Sequence, residues 1–187
     1  FTKDSIPASG KLSVIARFGV GFDTVDVEAC TQNDIAVCIT PDGVRRPVAV
    51  SILTLMLALT GKLLIKDRIT RQGPNGFVAR NEHMGLGLVG RTLGSVGIGN
   101  IGAEMFRLAA PLGMKFIAHD PFADLSLATE LGVDLVDLDK VFAQSDVISI
   151  NCPLTPDTHH LVNASRLSQM KPTTYLINTA RGPIVDQ

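Results

Sequence analysis

Thr92-Leu93-Gly94-Ser95-Val96-Gly97-Ile98-Gly99-Asn100-Ile101-Gly102 decides the fold. The run Leu93–Ile98 has the length and apolar character of a buried strand, and Ile101–Leu112 reads as a helix. Between them lies G-x-G-x-x-G, formed by Gly97, Gly99 and Gly102. The first glycine permits the tight turn, the second lets the backbone approach a pyrophosphate, and the third packs helix on strand. The helix start then offers free N–H groups and a partial positive charge, which gives Asn100 and Ile101 phosphate-facing backbone. Asp120 closes the next strand, 120 − 102 = 18 positions after the last glycine. That is about where a ribose-binding acid is expected. Its charge repels a 2′-phosphate, so NAD is expected over NADP. Two other readings share the motif: a glycine turn with no ligand, and the adenosyl site of a methyltransferase. The third glycine and the arginine segment below weigh against the second.

From Thr92 onward, strands and helices alternate. Further strands are expected at Lys115–His119, Val133–Val136, Val147–Asn151 and Tyr175–Asn178. Helices are expected at Ala123–Leu131, Leu138–Ser145 and Ala164–Met170. Nearly continuous apolar strands between helices predict a doubly wound parallel sheet covered on both faces. Upstream, Leu12–Ala16 and Ile35–Ile39 read as strands flanking a helix over Asp26–Asn33, with Asp23 or Thr24 as its cap. Pro41-Asp42-Gly43 reads as a turn and a domain boundary. A helix is expected from about Pro47, with proline in its first turn, to about Thr70. The organisation predicted is a partial, smaller α/β substrate domain over 1–41 and a dinucleotide-binding domain over 42–187.

Composition narrows the partners. The 187 residues are 45% hydrophobic and carry a net charge of −1. No basic field points to nucleic acid or an anionic membrane. The longest apolar stretch, Val48 to Leu59, is too short to span a bilayer and reads as buried helix. Cys30, Cys38 and Cys152 have no metal-like spacing, so free thiols and a cytoplasmic, reducing setting are expected and no metal site is.

Arg181 follows the last strand in Asn178-Thr179-Ala180-Arg181-Gly182-Pro183-Ile184-Val185-Asp186. Ligands of open α/β sheets bind outside the carboxyl ends of the strands. A guanidinium there can hold a carboxylate and polarise a neighbouring carbonyl. The alternative is a surface arginine, and position alone leaves the two even.

Three separated blocks resemble the D-isomer-specific 2-hydroxyacid dehydrogenases. They are Ala16–Asp26 (Ala-Arg-Phe-Gly-Val-Gly-Phe-Asp-Thr-Val-Asp), Gly90–Gly102, and Asn151–Thr158 (Asn-Cys-Pro-Leu-Thr-Pro-Asp-Thr) taken with Asn178–Asp186. The resemblance implies a nicotinamide-linked hydride transfer between a D-2-hydroxy acid and its 2-keto acid, and a homodimer. It implies that backbone at Val20 and Gly21 binds the substrate carboxylate and that Arg181 is the catalytic arginine. It sets Cys152 and Pro153 on the adenine side and Thr179 and Ala180 on the nicotinamide side, and it counts Thr158 among the cofactor-binding residues. A histidine paired with a glutamate moves the proton in this family. The resemblance places both downstream of the arginine block, so the nucleotide domain is expected to be truncated and this chain inactive by itself. Of His83, His119, His159 and His160, none is assigned that role. Non-catalytic, NAD-sensing corepressors share the fold and are the rival reading.

One segment departs from the family. Asp42-Gly43-Val44-Arg45-Arg46-Pro47-Val48-Ala49-Val50 carries paired arginines where the family has an uncharged polar turn, and Val50 where it has an acid. Arg45 and Arg46 either meet a second negative charge on the substrate or form a solvated turn.

Overall fold

A computed structural model describes residues 1–6 and 10–187. The chain divides into two compact units, Phe1–Pro47 and Val48–Gln187.

The first unit is a β-α-β element. Strands β1 (Val14–Arg17) and β2 (Ala36–Ile39) pair in parallel, with Val14 opposite Ala36 and Arg17 opposite Ile39. Helix α1 (Val27–Gln32) crosses between them and buries Ala29 and Cys30 against Ile6, Ile15, Val25 and Ile35. Its cap is Asp26, whose carboxylate accepts the Ala29 N–H at 2.9 Å. Asp23 and Thr24 lie too far upstream to reach the first-turn amides, so the expected cap is corrected.

Helix α2 runs Pro41–Thr60 and crosses from one unit into the next. The predicted turn at Pro41-Asp42-Gly43 is therefore helix. Proline is favoured at a first helical position, where its missing N–H costs nothing, and the proline that uses this rule is Pro41. Pro47 sits inside the helix. The downstream limit also differs. Gly61 and a left-handed Lys62 (φ 53°) break the run, and α3 restarts it over Leu63–Thr70. The 20 residues of α2 are long and apolar enough to cross a membrane by length and composition alone, contrary to the reading of the shorter apolar stretch. Its Ala49, Ile52 and Met56 are fully buried in the core of the second unit. A short helix α4 (Pro74–Val78) and a 3-10 turn (Ala79–His83) follow, neither expected from the sequence.

The rest of the second unit follows the predicted alternation. Strands β3 (Thr92–Val96), β4 (Lys115–His119), β5 (Val133–Leu135), β6 (Val147–Ile150) and β7 (Tyr175–Asn178) form one parallel sheet in the order β5-β4-β3-β6-β7. Helices α5 (Asn100–Ala109), α6 (Leu125–Glu130), α7 (Leu138–Gln144) and α8 (Ala164–Gln169) connect them. The chain winds one way from β3 to β5 and the other way from β6 to β7, so the order reverses between β3 and β6. Alternate residues of β3 serve opposite faces. Leu93 joins the cluster of Met105 and Phe106 from α5, while Val96 joins that of Val141 and Phe142 from α7. Sheets enclosed this way need apolar residues on both faces, which is why these strands read as unbroken apolar runs.

Candidate dinucleotide and substrate site

All five strands of the larger sheet are parallel, so their carboxyl ends share one edge. The glycine loop leaves β3 at that edge, beside the point where strand order reverses. Gly97 has φ +99°, a region that strains any L side chain. A Cβ on Gly97 would lie 3.0 Å from the Asn151 carbonyl, and one on Gly102 only 2.5 Å from the Gly97 oxygen. Neither position has room for a side chain. Gly99 differs, since a Cβ there would meet nothing within 4 Å. The middle glycine is the open one, as a backbone that must admit a pyrophosphate requires. The first bond of α5 is Ala103 N–H to Gly99 O at 2.9 Å. Among the described residues no acceptor takes the N–H of Asn100, Ile101 or Gly102. The donors and space present fit a dinucleotide phosphate.

Asp120 closes β4 beside this loop. Its Oδ2 accepts the Ile98 N–H and its Oδ1 the Phe122 N–H, both at 2.9 Å. Cys152 follows β6, and its thiol lies above the ordinary cysteine range because burial and then the Asp120 charge oppose ionisation. It is a neutral, half-buried wall beside the acid. Thr158 lies in the loop that follows Cys152. Its hydroxyl donates to Pro153 O at 2.6 Å and accepts from Thr155 N at 2.7 Å, closing the Pro153–Thr158 loop on itself.

The β7 exit is stapled by Asn178. Its side chain donates to Arg181 O at 2.8 Å and accepts the Ala180 N–H at 3.0 Å. Thr179, Ala180 and Arg181 are thereby held in a tight turn at the carboxyl edge, with Arg181 Nη1 donating to Ala180 O at 2.8 Å. The second unit thus brings Gly97 to Gly102, Asp120, Cys152, Pro153 and Arg181 to one sheet edge.

Val20 and Gly21 belong to the first unit, in the loop after β1. Gly19 N–H donates to Thr40 Oγ1 at 2.8 Å, Thr40 N–H returns to Gly19 O at 2.9 Å, and Arg17 Nε donates to Gly21 O. Among the described residues the N–H groups of Val20 and Gly21 have no acceptor. A loop pinned through its carbonyls with N–H groups to spare suits an anion. Arg45 lies in the first turns of α2 with its guanidinium 3.4 Å from Asp42.

His119 Nδ1 is 3.1 Å from Val136 O. His159 and His160 stack at 3.9 Å, and His160 Nδ1 is 3.6 Å from Asp186. Among the described residues no group of three or more His, Cys, Asp or Glu is placed to hold a metal. Sequence reasoning missed Arg17, Asn178, Ser95 and Asn151. Ser95 inside β3 and Asn151 just after β6, polar positions in apolar runs, were the available signal.

Comparison with known proteins agrees with this fold. Residues 53–187 match the D-isomer specific 2-hydroxyacid dehydrogenase NAD binding domain, and residues 1–53 match the catalytic domain of the same family. The chain is 39% identical to hydroxypyruvate reductase of Thermotoga maritima, covering 100% of this chain and 59% of that one. It is 37% identical to D-3-phosphoglycerate dehydrogenase of Synechocystis, covering 100% of this chain and 33% of the relative. Among solved structures, the holo form of Rhodotorula graminis D-mandelate dehydrogenase aligns with TM-score 0.88 and 30% identity, over 99% of this chain and 55% of that one. D-lactate dehydrogenase from Aquifex aeolicus, complexed with NAD and lactic acid, aligns with TM-score 0.83 and 36% identity, over 94% and 52%. The chain therefore spans between a third and three-fifths of the length of the relatives named here. With its NAD-binding domain over residues 53–187, the chain belongs to the D-isomer-specific 2-hydroxyacid dehydrogenase family.

Proposed function

We propose that the intact protein is an NAD-dependent oxidoreductase that interconverts a small 2-keto acid and its D-2-hydroxy acid. The observation that carries this reading is the placing of Arg181 on the same sheet edge as the open Gly99 backbone and Asp120. Bound NAD supplies hydride chemistry at its nicotinamide ring. The residues of the chain do the rest. The Asn100, Ile101 and Gly102 amides hold phosphate, and Asp120 accepts from ribose hydroxyls. Thr179 and Ala180 line the nicotinamide side. Arg181 grips the carboxylate and keto oxygen with the planar donor fork of its guanidinium. Val20 and Gly21 offer their two N–H groups to the substrate carboxylate. Residues 1–41 then belong to the substrate-binding domain and 42–187 to the nucleotide-binding domain.

Relatives named glyoxylate reductase and hydroxypyruvate reductase support a small 2-keto acid as substrate. Free cysteines at Cys30, Cys38 and Cys152 favour the cytoplasm. An exposed apolar face on α2 and α3 favours a homodimer, and the net charge of −1 disfavours nucleic acid and anionic membrane surfaces. The test is NADH oxidation by the intact protein with glyoxylate, hydroxypyruvate and longer 2-keto acids. Saturable turnover of one of them is the expected result. NADH binding without turnover of any would instead favour a corepressor-like scaffold.

A further inference from the structure

We propose that Ser95 and Asn151 are positioning residues that lock the pyrophosphate loop in its binding shape. Their effect reaches Asp120 through one peptide plane. Ser95 and Ser149 are register partners on β3 and β6, and both are fully buried. They share the sheet face of Leu93 and Val147, which is otherwise packed with apolar side chains from α2 and α5. A hydroxyl in such a place is costly unless its hydrogen bonds are made. Here they are. Ser95 Oγ donates to the Gly97 carbonyl at 2.6 Å and accepts from Asn151 Nδ2 at 2.8 Å. Ser149 Oγ reaches Asn151 Oδ1 at 3.4 Å, and Asn151 N–H donates to Val96 O at 2.8 Å.

The oxygen that Ser95 holds is the one against which Gly102 packs, 2.5 Å from where a Cβ would stand. The N–H on the far side of the same peptide, that of Ile98, goes to Asp120 Oδ2 at 2.9 Å. The Gly97–Ile98 peptide is thus pinned at both ends, by Ser95 through its carbonyl and by Asp120 through its amide. A left-handed glycine is the residue most free to rotate such a plane. Fixing it before the cofactor arrives removes ordering cost from binding. Without Ser95 the peptide can turn, the Asn151 amide loses its acceptor, and the loop and acid lose their common anchor.

This assignment rests on NAD occupying the glycine loop, and the experiment separates the two. NADH fluorescence titration and thermal unfolding are measured on the intact protein and on Ser95→Ala, Asn151→Ala and the double variant. Each single variant is expected to raise the NADH Kd about three- to tenfold, the factor for one buried hydrogen bond. The double variant should bind no worse than the weaker single, since both act on one network. The KM for the 2-keto acid should not move. If the parent does not bind NADH, the cofactor site itself is misplaced. If the parent binds and the folded variants bind equally well, with only Tm lowered, the residues are structural and the proposal falls. Losses that simply multiply in the double variant also overturn it. Should Ser95→Ala fail to fold, Asn151→Ala carries the test, because Asn151 is only half-buried.

Discussion

Asp120 spends one lone pair of each carboxylate oxygen inside the protein, on Ile98 N–H and Phe122 N–H. A carboxylate oxygen accepts twice, so a ribose hydroxyl can still be received. A 2′-phosphate would meet the same charge and be repelled. NADH should therefore bind more tightly than NADPH, and Asp120→Ser should narrow that gap while weakening NADH, as read by paired titrations. Equal binding of both cofactors by the parent would remove the role assigned to Asp120. Arg181 tests the other half of the site. Lysine keeps its charge and loses the planar fork. Arg181→Lys in the intact protein is expected to lower kcat/KM by about two to three decades, roughly 2.7–4 kcal/mol, with NADH affinity unchanged. Near-parental turnover would show that Arg181 is not the catalytic arginine.

The junction of β3, β6 and β7 depends on one buried acid at the opposite end of the sheet from the ligand edge. Asp146 Oδ2 accepts the Thr92 N–H at 2.8 Å, and Oδ1 faces Lys171 at 3.1 Å and Arg91 at 3.6 Å. Burial pushes this carboxyl upward and is the largest single influence. The Thr92 amide, Lys171 and Arg91 together outweigh it and hold the group below the usual carboxylate range. A lowered folded value means that the charged form is favoured in the native state. Its stabilisation is therefore full above the unfolded value of about 3.9 and is lost as pH falls through the folded value. Asp146→Ala should cost about 1–3 kcal/mol at neutral pH, because Thr92 N–H loses its acceptor. The Tm difference from the parent should shrink below about pH 4. A difference independent of pH would mean that packing, not charge, is what the substitution removes. The same strand shows how tightly α7 seats. A Cβ on Gly94 would stand 2.0 Å from Ser145 Oγ, so Gly94→Ala should lower Tm through displacement of that helix.

At the scale of the molecule, helices α2 and α3 leave an apolar face uncovered. Leu57 is 46% exposed and Leu64 79%, and Leu55, Leu59 and Leu63 are exposed with them. The α2 residues fully buried in the core are Ala49, Ile52 and Met56, while Leu55, Leu59 and the α3 residue Leu63 stay exposed. An uncovered face of this kind supports self-association. Light scattering on the intact protein should give a dimer mass, and Leu57→Glu should shift it toward monomer. A parent that stays monomeric at high concentration would count against the homodimer.

The second unit was legible in the sequence because its order is written in short-range terms. Lys115–His119 and Tyr175–Asn178 are strands with the bounds their apolar runs predicted. The glycine loop and Asp120 were readable because turn, helix start and strand end are each local events joined by a fixed spacing. The limits of α2 were not, since Pro41 and Pro47 satisfy the same helix-start rule and only the chain's path from Thr40 selects between them. Which face of α2 is inward was also undecided, because leucines surround the helix and periodicity cannot rank them. The roles of Ser95, Asn151, Asn178 and Asp146 emerged only from tertiary structure. Their meaning lies in hydrogen bonds across strands and turns, and a polar residue in an apolar run does not name its partner. Sequence determined the elements and the chemistry available to them. Tertiary contacts decided which of those polar groups hold the cofactor loop and which hold the sheet.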